Sequence, residues 1–269
     1  MSKVFEIFGT PHFTGFMAGV EYEVESVQKI YPNPTYILNV TSDDSLRNSG
    51  VEVITKPLPY QQAVDSHKWL FSPNGLVLIE PTEACTELGS IHVHVNFSDQ
   101  TEEKVQQFIR LYSLMEPYFF DAVAEHRHNN IYCVPVSATN MLRMAMNGIG
   151  SGLTDKWHKY CAFNVKPLAQ YGTIEFRHLQ ITSDHAVFEN WMQLIHRLYT
   201  FNLENEAPPV VSPSFLKKFV VTVTGNPFLT YGDINSKLEL TQVNDLLLMV
   251  NPNTQLLSTR IKQNTKEAA

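Results

Sequence analysis

The stretch GVEYEVES, residues 19–26, places the tightest constraint on this chain. Read as a strand it alternates, with Val20, Tyr22 and Val24 on one side and Glu21, Glu23 and Glu25 on the other. Strand side chains repeat every second residue, so the three carboxylates stand in a row roughly 7 Å apart. Like charges at that spacing repel, and glutamate is a poor strand former. Two readings stand open: a solvated edge strand, or a surface built around a positive partner, metal ions foremost. Under the second reading the metal-free chain carries Glu21–Glu23 repulsion as a cost. Glu25 then shares the face as an onlooker.

Further strand-like runs are VEVIT (51–55), LVLIE (76–80), SIHVHVNF (90–97), YCAFNV (160–165) and TIEFRHLQ (173–180). Helical patterns lie between them. The longest begins near Ser98, with Glu102 and Glu103 in its first turn and Val105, Phe108, Ile109, Tyr112 and Met115 at helical spacing. Pro117 is expected to kink or split it. Shorter helices are expected over 60–71 and over 184–200. The Gly-containing stretch 147–159 reads as a mobile lid or a surface excursion. Prolines in NEAPPVVSPS mark a linker after residue 201. The expected division is a catalytic domain over 1–200 and a C-terminal, helical extension over 201–269 packed on it.

Composition narrows the functional classes. A net charge of −7 with no basic cluster argues against nucleic acid as the main partner. The apolar runs are short, so no membrane span is expected. Cys85, Cys133 and Cys161 are an odd number without a CxxC pair, and the first residues lack a signal-peptide pattern. Both point to reduced thiols in a cytoplasmic compartment.

The chemistry-bearing residues fall on alternating strand faces. His92, His94 and Asn96 share one face of SIHVHVNF, and Thr173, Glu175 and Arg177 share one face of GTIEFRHL. Each segment alone is open to a structural reading: a hydrogen-bonded histidine, or a Glu–Arg pair. Together with Glu21, Glu23 and Glu52, however, they supply about four carboxylates, one or two imidazoles and an arginine to one concavity. A carboxylate-rich set suits magnesium or manganese better than zinc. Such ions commonly act on phosphates, which an arginine also binds.

The order GVEYEVE, DDS (43–45), GVEVITKPL, SIHVHVNF, EHRHNNIYC (125–133) and KYCAFNV…YGTIEFRHLQITSD resembles the putative amidoligase family. That family is similar to the catalytic domains of glutamine synthetase and glutamate–cysteine ligase, and many members come from bacteriophages. The resemblance covers roughly residues 15–197; the combination of ExE, HxH and TxEFR is specific where each alone is weak. It implies an α+β fold with a curved, mostly antiparallel β-sheet and helices on its convex side. It also implies an ATP-dependent ligase joining small-molecule or peptide carboxylates to amines, with Mg2+ or Mn2+. By position, Glu21, Glu23, Glu52, His94 and Glu175 match metal ligands, with His92 nearer substrate or nucleotide. Arg177 matches the arginine that faces the transferred phosphoryl group. Arg127 and Lys159 fall where the family places basic residues for phosphate or a substrate carboxylate. Asp44 is the candidate for the amine, although DDS lacks the family's Gly between Asp and Ser, which leaves Asp43 open as well.

An acid does not condense with an amine in water because hydroxide leaves poorly; an acyl phosphate made from ATP solves this. No P-loop sequence is present to hold the nucleotide. Two other classes stand beside the ligase: a metal-dependent hydrolase using His92 and His94, and an inactive ligase-like binding or assembly protein. Substrate identity and oligomeric state are not marked by any motif.

Overall fold

The computed structural model describes residues 2–238 apart from positions 32, 44, 49, 80–83, 140, 146, 147, 209 and 210. A short helix α1 (Val4–Phe8) precedes β1 (Met17–Val24), β2 (Val27–Ile30), β3 (Ile37–Ser42), β4 (Val51–Thr55) and β5 (Leu58–Pro59). Then come α2 (Tyr60–Leu70), β6 (Leu76–Leu78), β7 (Ser90–Asn96) and α3 (Glu102–Asp121). The remaining elements are α4 (Met141–Ala145), α5 (Ser151–Lys156), β8 (Phe163–Asn164), α6 (Leu168–Tyr171), β9 (Thr173–Gln180), α7 (His185–Glu204), α8 (Pro213–Thr224) and α9 (Tyr231–Leu238).

The main sheet runs β3-β4-β1-β7-β9-β8, with β5 pairing β1, and every one of these pairs is antiparallel. β2 and β6 form a separate ribbon. The fold is α+β with a mostly antiparallel open sheet, as the sequence led us to expect. Its alternation decides the layering. Ala18, Val20, Tyr22 and Val24 of β1 are buried with Ile91, Val93 and Val95 of β7 and Ile174 and Phe176 of β9. They meet Phe108, Tyr112 and Phe119 of α3 and Phe188 and Trp191 of α7 in one core. Tyr112 stacks on Phe163 at 4.0 Å, and Phe119 stacks on Phe176 at 5.4 Å. The helices thus cover one face and leave the polar residues of β1, β7 and β9 together on the other.

Three local expectations change. α3 is capped by Thr101, whose hydroxyl accepts from Lys104 N, and it continues through Pro117 to Asp121. The apolar face extends past the proline with Phe119 and Phe120, and its burial outweighs one missing backbone bond. The supposed lid instead contains α5, with Ile149, Leu153 and Trp157 buried and the Trp157 indole donating to Phe163 O. Glu102 accepts from Ile149 N and Lys166 donates to Thr154 O, so the stretch is fastened at several points. The third change is β3, which the sequence reading passed over. α7 starts on an Asp184 cap and runs to Glu204, with α8 packed against it. The apolar run at 241–250 lies outside the described residues, and no described helix is long and apolar enough to cross a membrane.

One irregularity positions the site. Val93 pairs with Phe176, but Ile91 pairs with Leu179, so β9 spends one more residue than β7 over this step. Alternation puts Arg177 on the polar face and His178 in the core, and the bulge lets Leu179 enter the core beside it, opposite Ile91. Arg127 secures the bulge: only 2% exposed, it donates from Nε to His178 O (3.0 Å) and from Nη2 to Arg177 O (2.7 Å). Beneath it His178 meets the Tyr112 hydroxyl at 2.8 Å, and Tyr112 donates to Glu116. Replacing Arg127 with Met should strand two bulge carbonyls and cost about 2–4 kcal/mol of stability. Chemical denaturation of the ligand-free protein measures this; an unchanged midpoint would mean the clamp is dispensable.

Candidate active site

The sheet register brings the polar residues together. Glu21 lies opposite His92, and His94 lies opposite Glu175, so β1, β7 and β9 each contribute to one patch. The two oxygens of Glu21 face different rings: Oε1 is 3.2 Å from His94 Nε2, and Oε2 is 3.4 Å from His92 Nδ1. Glu175 Oε1 lies 3.4 Å from His92 Nδ1 and 3.9 Å from His94 Nε2. Its other oxygen accepts from Asn164 on β8 at 2.7 Å, which fixes the carboxylate plane. Ligand atoms of Glu21, His94 and Glu175 all fall within 4.8 Å of one another.

These residues fit a divalent cation. His94 Nε2 is buried and faces Glu21 Oε1 at 3.2 Å, while its Nδ1 meets Thr173 Oγ1 at 3.2 Å. A histidine that ligates a metal commonly uses one nitrogen and anchors the other in this way. Two carboxylates and one imidazole suit magnesium or manganese, and the imidazole leans toward manganese.

Electrostatics in the cluster run against simple like-charge repulsion. Burial raises the Glu21 carboxyl, yet its hydrogen bonds and charge contacts with His92 and His94 outweigh that and hold it far below the usual range. Burial lowers His94, but the Glu21 contact more than compensates and its net direction is up. Glu175 is likewise pushed up by burial and pulled further down by His94, His92 and Arg177. The repulsion falls instead on Glu52. It sits directly opposite Glu23, and burial followed by the Glu21 and Glu23 charges raises it.

The other expected residues occupy distinct positions. Glu23 borders the cluster through Ser90, which donates to it, and lies 3.9 Å from His92. Arg177 pairs with Glu175 at 2.5 Å and reaches within 3.5 Å of His92, while its Nε is buried without a partner. Arg127 spends its guanidinium on the β9 bulge and also borders a cavity beside Arg177. Lys159 is exposed, with its ammonium 4.6 Å over the Tyr160 ring. Asp44 lies outside the described residues; Asp43 turns its carboxylate onto Ser45. Glu25 leaves the row altogether. It falls just past β1, is buried, and accepts from Arg47 N, so it belongs to a loop anchor. Ser90, Thr173 and Asn164 were not singled out as site residues. Strand alternation alone puts Ser90 on the His92 face and Thr173 on the Glu175 face; nothing in the sequence pairs Asn164 with Glu175.

Two cavities flank the cluster. One of about 580 Å3 takes in Glu21, His94 and Thr173 and is walled by Phe13, Met17, Ile54, Pro57 and Tyr171. The other, about 600 Å3, takes in Glu23, Ser90, Arg127 and Arg177, with Glu87, Tyr132 and Tyr160 farther out. A third, of about 750 Å3 beside β2 and β3, contains none of these residues.

A family model described as a putative amidoligase enzyme matches residues 20–199, about two thirds of the chain and the whole of the cluster. The chain belongs to that family. Amidoligase membership makes it a ligase-type enzyme at the coarse level. No curated protein matches it.

Opposite stability effects should separate the glutamates of this amidoligase. Glu21 ionised beside a protonated His94 stabilises the fold above the carboxyl's ordinary 4.5 and loses that effect as pH rises past His94's raised value. Glu21→Gln should therefore lower the metal-free Tm most between pH 4.5 and 6.5. For Glu52 the sign reverses: between 4.5 and its raised folded value the folded state holds the proton that the unfolded state has released, so stability falls as pH rises through that window. Glu52→Gln should raise the metal-free Tm at neutral pH, with the gain gone below pH 4.5. Thermal melts of both variants across pH check the pair; equal shifts would reject this charge distribution.

Proposed function

We propose that this protein is an ATP-dependent carboxylate–amine ligase that forms an amide or isopeptide bond through an acyl phosphate. The observation that carries the reading is the place of Arg177. Its guanidinium pairs with Glu175 of the carboxylate–imidazole cluster and lines a cavity that also bears Arg127, while an apolar cavity opens beside Glu21 and His94 of the same cluster. The apolar cavity, with Phe13 and Tyr171, suits a nucleobase and ribose. The cavity with Arg127 and Arg177 suits the acid, whose carboxylate needs a cationic partner to give up its water.

Glu21, His94 and Glu175 would hold Mg2+ or Mn2+, with Glu23, His92 and Glu52 around them. The ion would offset phosphate charge that builds up in both steps. In the first step, a carboxylate oxygen of the acid attacks the γ-phosphorus and ADP leaves. Arg177 stabilises the equatorial phosphoryl oxygens, where charge is greatest in the transition state. In the second, the amine nitrogen attacks the acyl carbon, inorganic phosphate leaves, and the surplus proton on nitrogen passes to a base. Glu23 and Glu87 provide carboxylates in that cavity. Asn164 and the Arg127 clamp serve by holding Glu175 and the Arg177 backbone still.

Magnesium-ATP at millimolar concentration should raise the Tm, since a ligand of the folded state stabilises it. ADP release, followed across a panel of carboxylates and amines, should require both substrates together. No thermal shift with magnesium-ATP would remove the ligase reading. Arg177→Lys should lower turnover about 10- to 100-fold while leaving the ATP-induced shift nearly intact, because lysine keeps the charge and loses the fork. Turnover equal to that of the unmodified protein would make Arg177 structural.

A further inference from the structure

Two large apolar side chains stand in water on the loop that follows Arg127: Ile131 is 70% exposed and Tyr132 51%. Looseness does not put them there, because the loop is fastened at both ends. Arg127 holds its start to β9. At its end Val134 N donates to Tyr160 O and Ala162 N donates to Val134 O, each at 2.8 Å. Between these points Asn130 Oδ1 accepts from Tyr132 N at 2.8 Å, and Asn130 O accepts from Cys133 N at 3.0 Å. The Tyr132 ring meets the Tyr160 ring edge-on, with centroids 5.1 Å apart. Leu88, 45% exposed on a separate loop, lines the same cavity as Ile131 and Tyr132. Single exposed apolar residues are ordinary, but three from two segments at one cavity mark a contact surface.

The inner part of that cavity is different in kind, since it bears Arg127, Arg177 and Ser90, all largely buried. A cationic floor under an apolar rim selects among carboxylates. We propose that the acid bound here is carried by a peptide: one residue brings its carboxylate to Arg177, and the residue before it lays an apolar side chain on Leu88, Ile131 and Tyr132. This rests on the ligase reading, which gives the arginine cavity to the acid. A free amino acid fits such a rim poorly. Its ammonium is strongly hydrated, and apolar side chains offer no hydrogen bond in return for the water lost. A peptide bond turns that ammonium into a neutral amide, and the preceding side chain then gains by leaving water. Glu87 and Asn129, exposed at the same cavity, can take up the amide N–H and C=O groups.

Calorimetry with the full-length protein tests this, with and without magnesium and a non-hydrolysable ATP analogue. The ligands are acetyl-seryl-glutamate, acetyl-leucyl-glutamate, acetyl-phenylalanyl-glutamate and free glutamate, each of which carries both a terminal and a side-chain carboxylate. The leucyl and phenylalanyl peptides should bind about 10-fold more tightly than the seryl peptide, and more tightly than glutamate. Ile131→Ser combined with Tyr132→Ser should bring the three peptides to similar affinity, with a Tm close to that of the unmodified protein. Arg177→Lys should weaken all three alike, because lysine lacks the guanidinium fork. Equal binding of the seryl and leucyl peptides to the unmodified protein overturns the proposal without any variant. So does glutamate binding as tightly as the best peptide, a preference that survives the double substitution, or no binding of any of the four. If the preference appears and disappears as expected but no amine gives ADP release from magnesium-ATP, the ligase reading fails and the peptide site stands.

Discussion

The antiparallel register of β1, β7 and β9 is the constraint on which the site depends. Neighbouring strands lie about 4.8 Å apart, so side chains on one face can converge only if their positions fall in line across the ladder. Glu21 opposite His92 and His94 opposite Glu175 meet that condition over three strands. A slip of one residue in either pairing would send one strand's polar side chains into the helical core. The buried row on the other face makes such a slip costly, so the core that stabilises the fold also aligns the site.

Charge balance follows from this geometry. A row of glutamates read along one strand is a row of repulsions. Read across the sheet, Glu21 lies between two imidazoles and Glu175 between an arginine, an imidazole and the Asn164 amide. The uncompensated like-charge contact falls at the Glu23–Glu52 pair. The charges of the cluster are thus partly balanced by its own imidazoles and guanidinium, which helps it keep its shape.

Neighbouring side chains set the orientation of the clustered residues. Arg127 holds the backbone carbonyls of the bulge from which Arg177 projects, and Ser90 and Thr173 each hold one ring nitrogen of a histidine. Ser90 and Thr173 hold groups of the cluster in place. Each removes a freedom that would otherwise blur it, and such removal is a large part of what a binding site requires.

Strand alternation and the ExE, HxH and TxEFR spacings determined by themselves which residues share a polar face, that the sheet would be covered on its other side, and which family the chain joins. Those properties are local, because a period of two survives in any register. The sequence was misleading where a local signal met tertiary burial. Pro117 did not end α3 because the apolar face beyond it is buried, and the Gly-containing stretch around 150 became a packed segment because Trp157 and Leu153 reach the core. Glu25 left its row because the strand ends at Val24, and Arg127 took on a clamping role because β9 bulges beside it. Only the tertiary structure decided that Glu21 faces two histidines, that Asn164 steadies Glu175 and that Ser90 joins Glu23 to His92. Those contacts cross between strands up to about 70 residues apart, where pairing and bulge position, not spacing along one segment, set the distances.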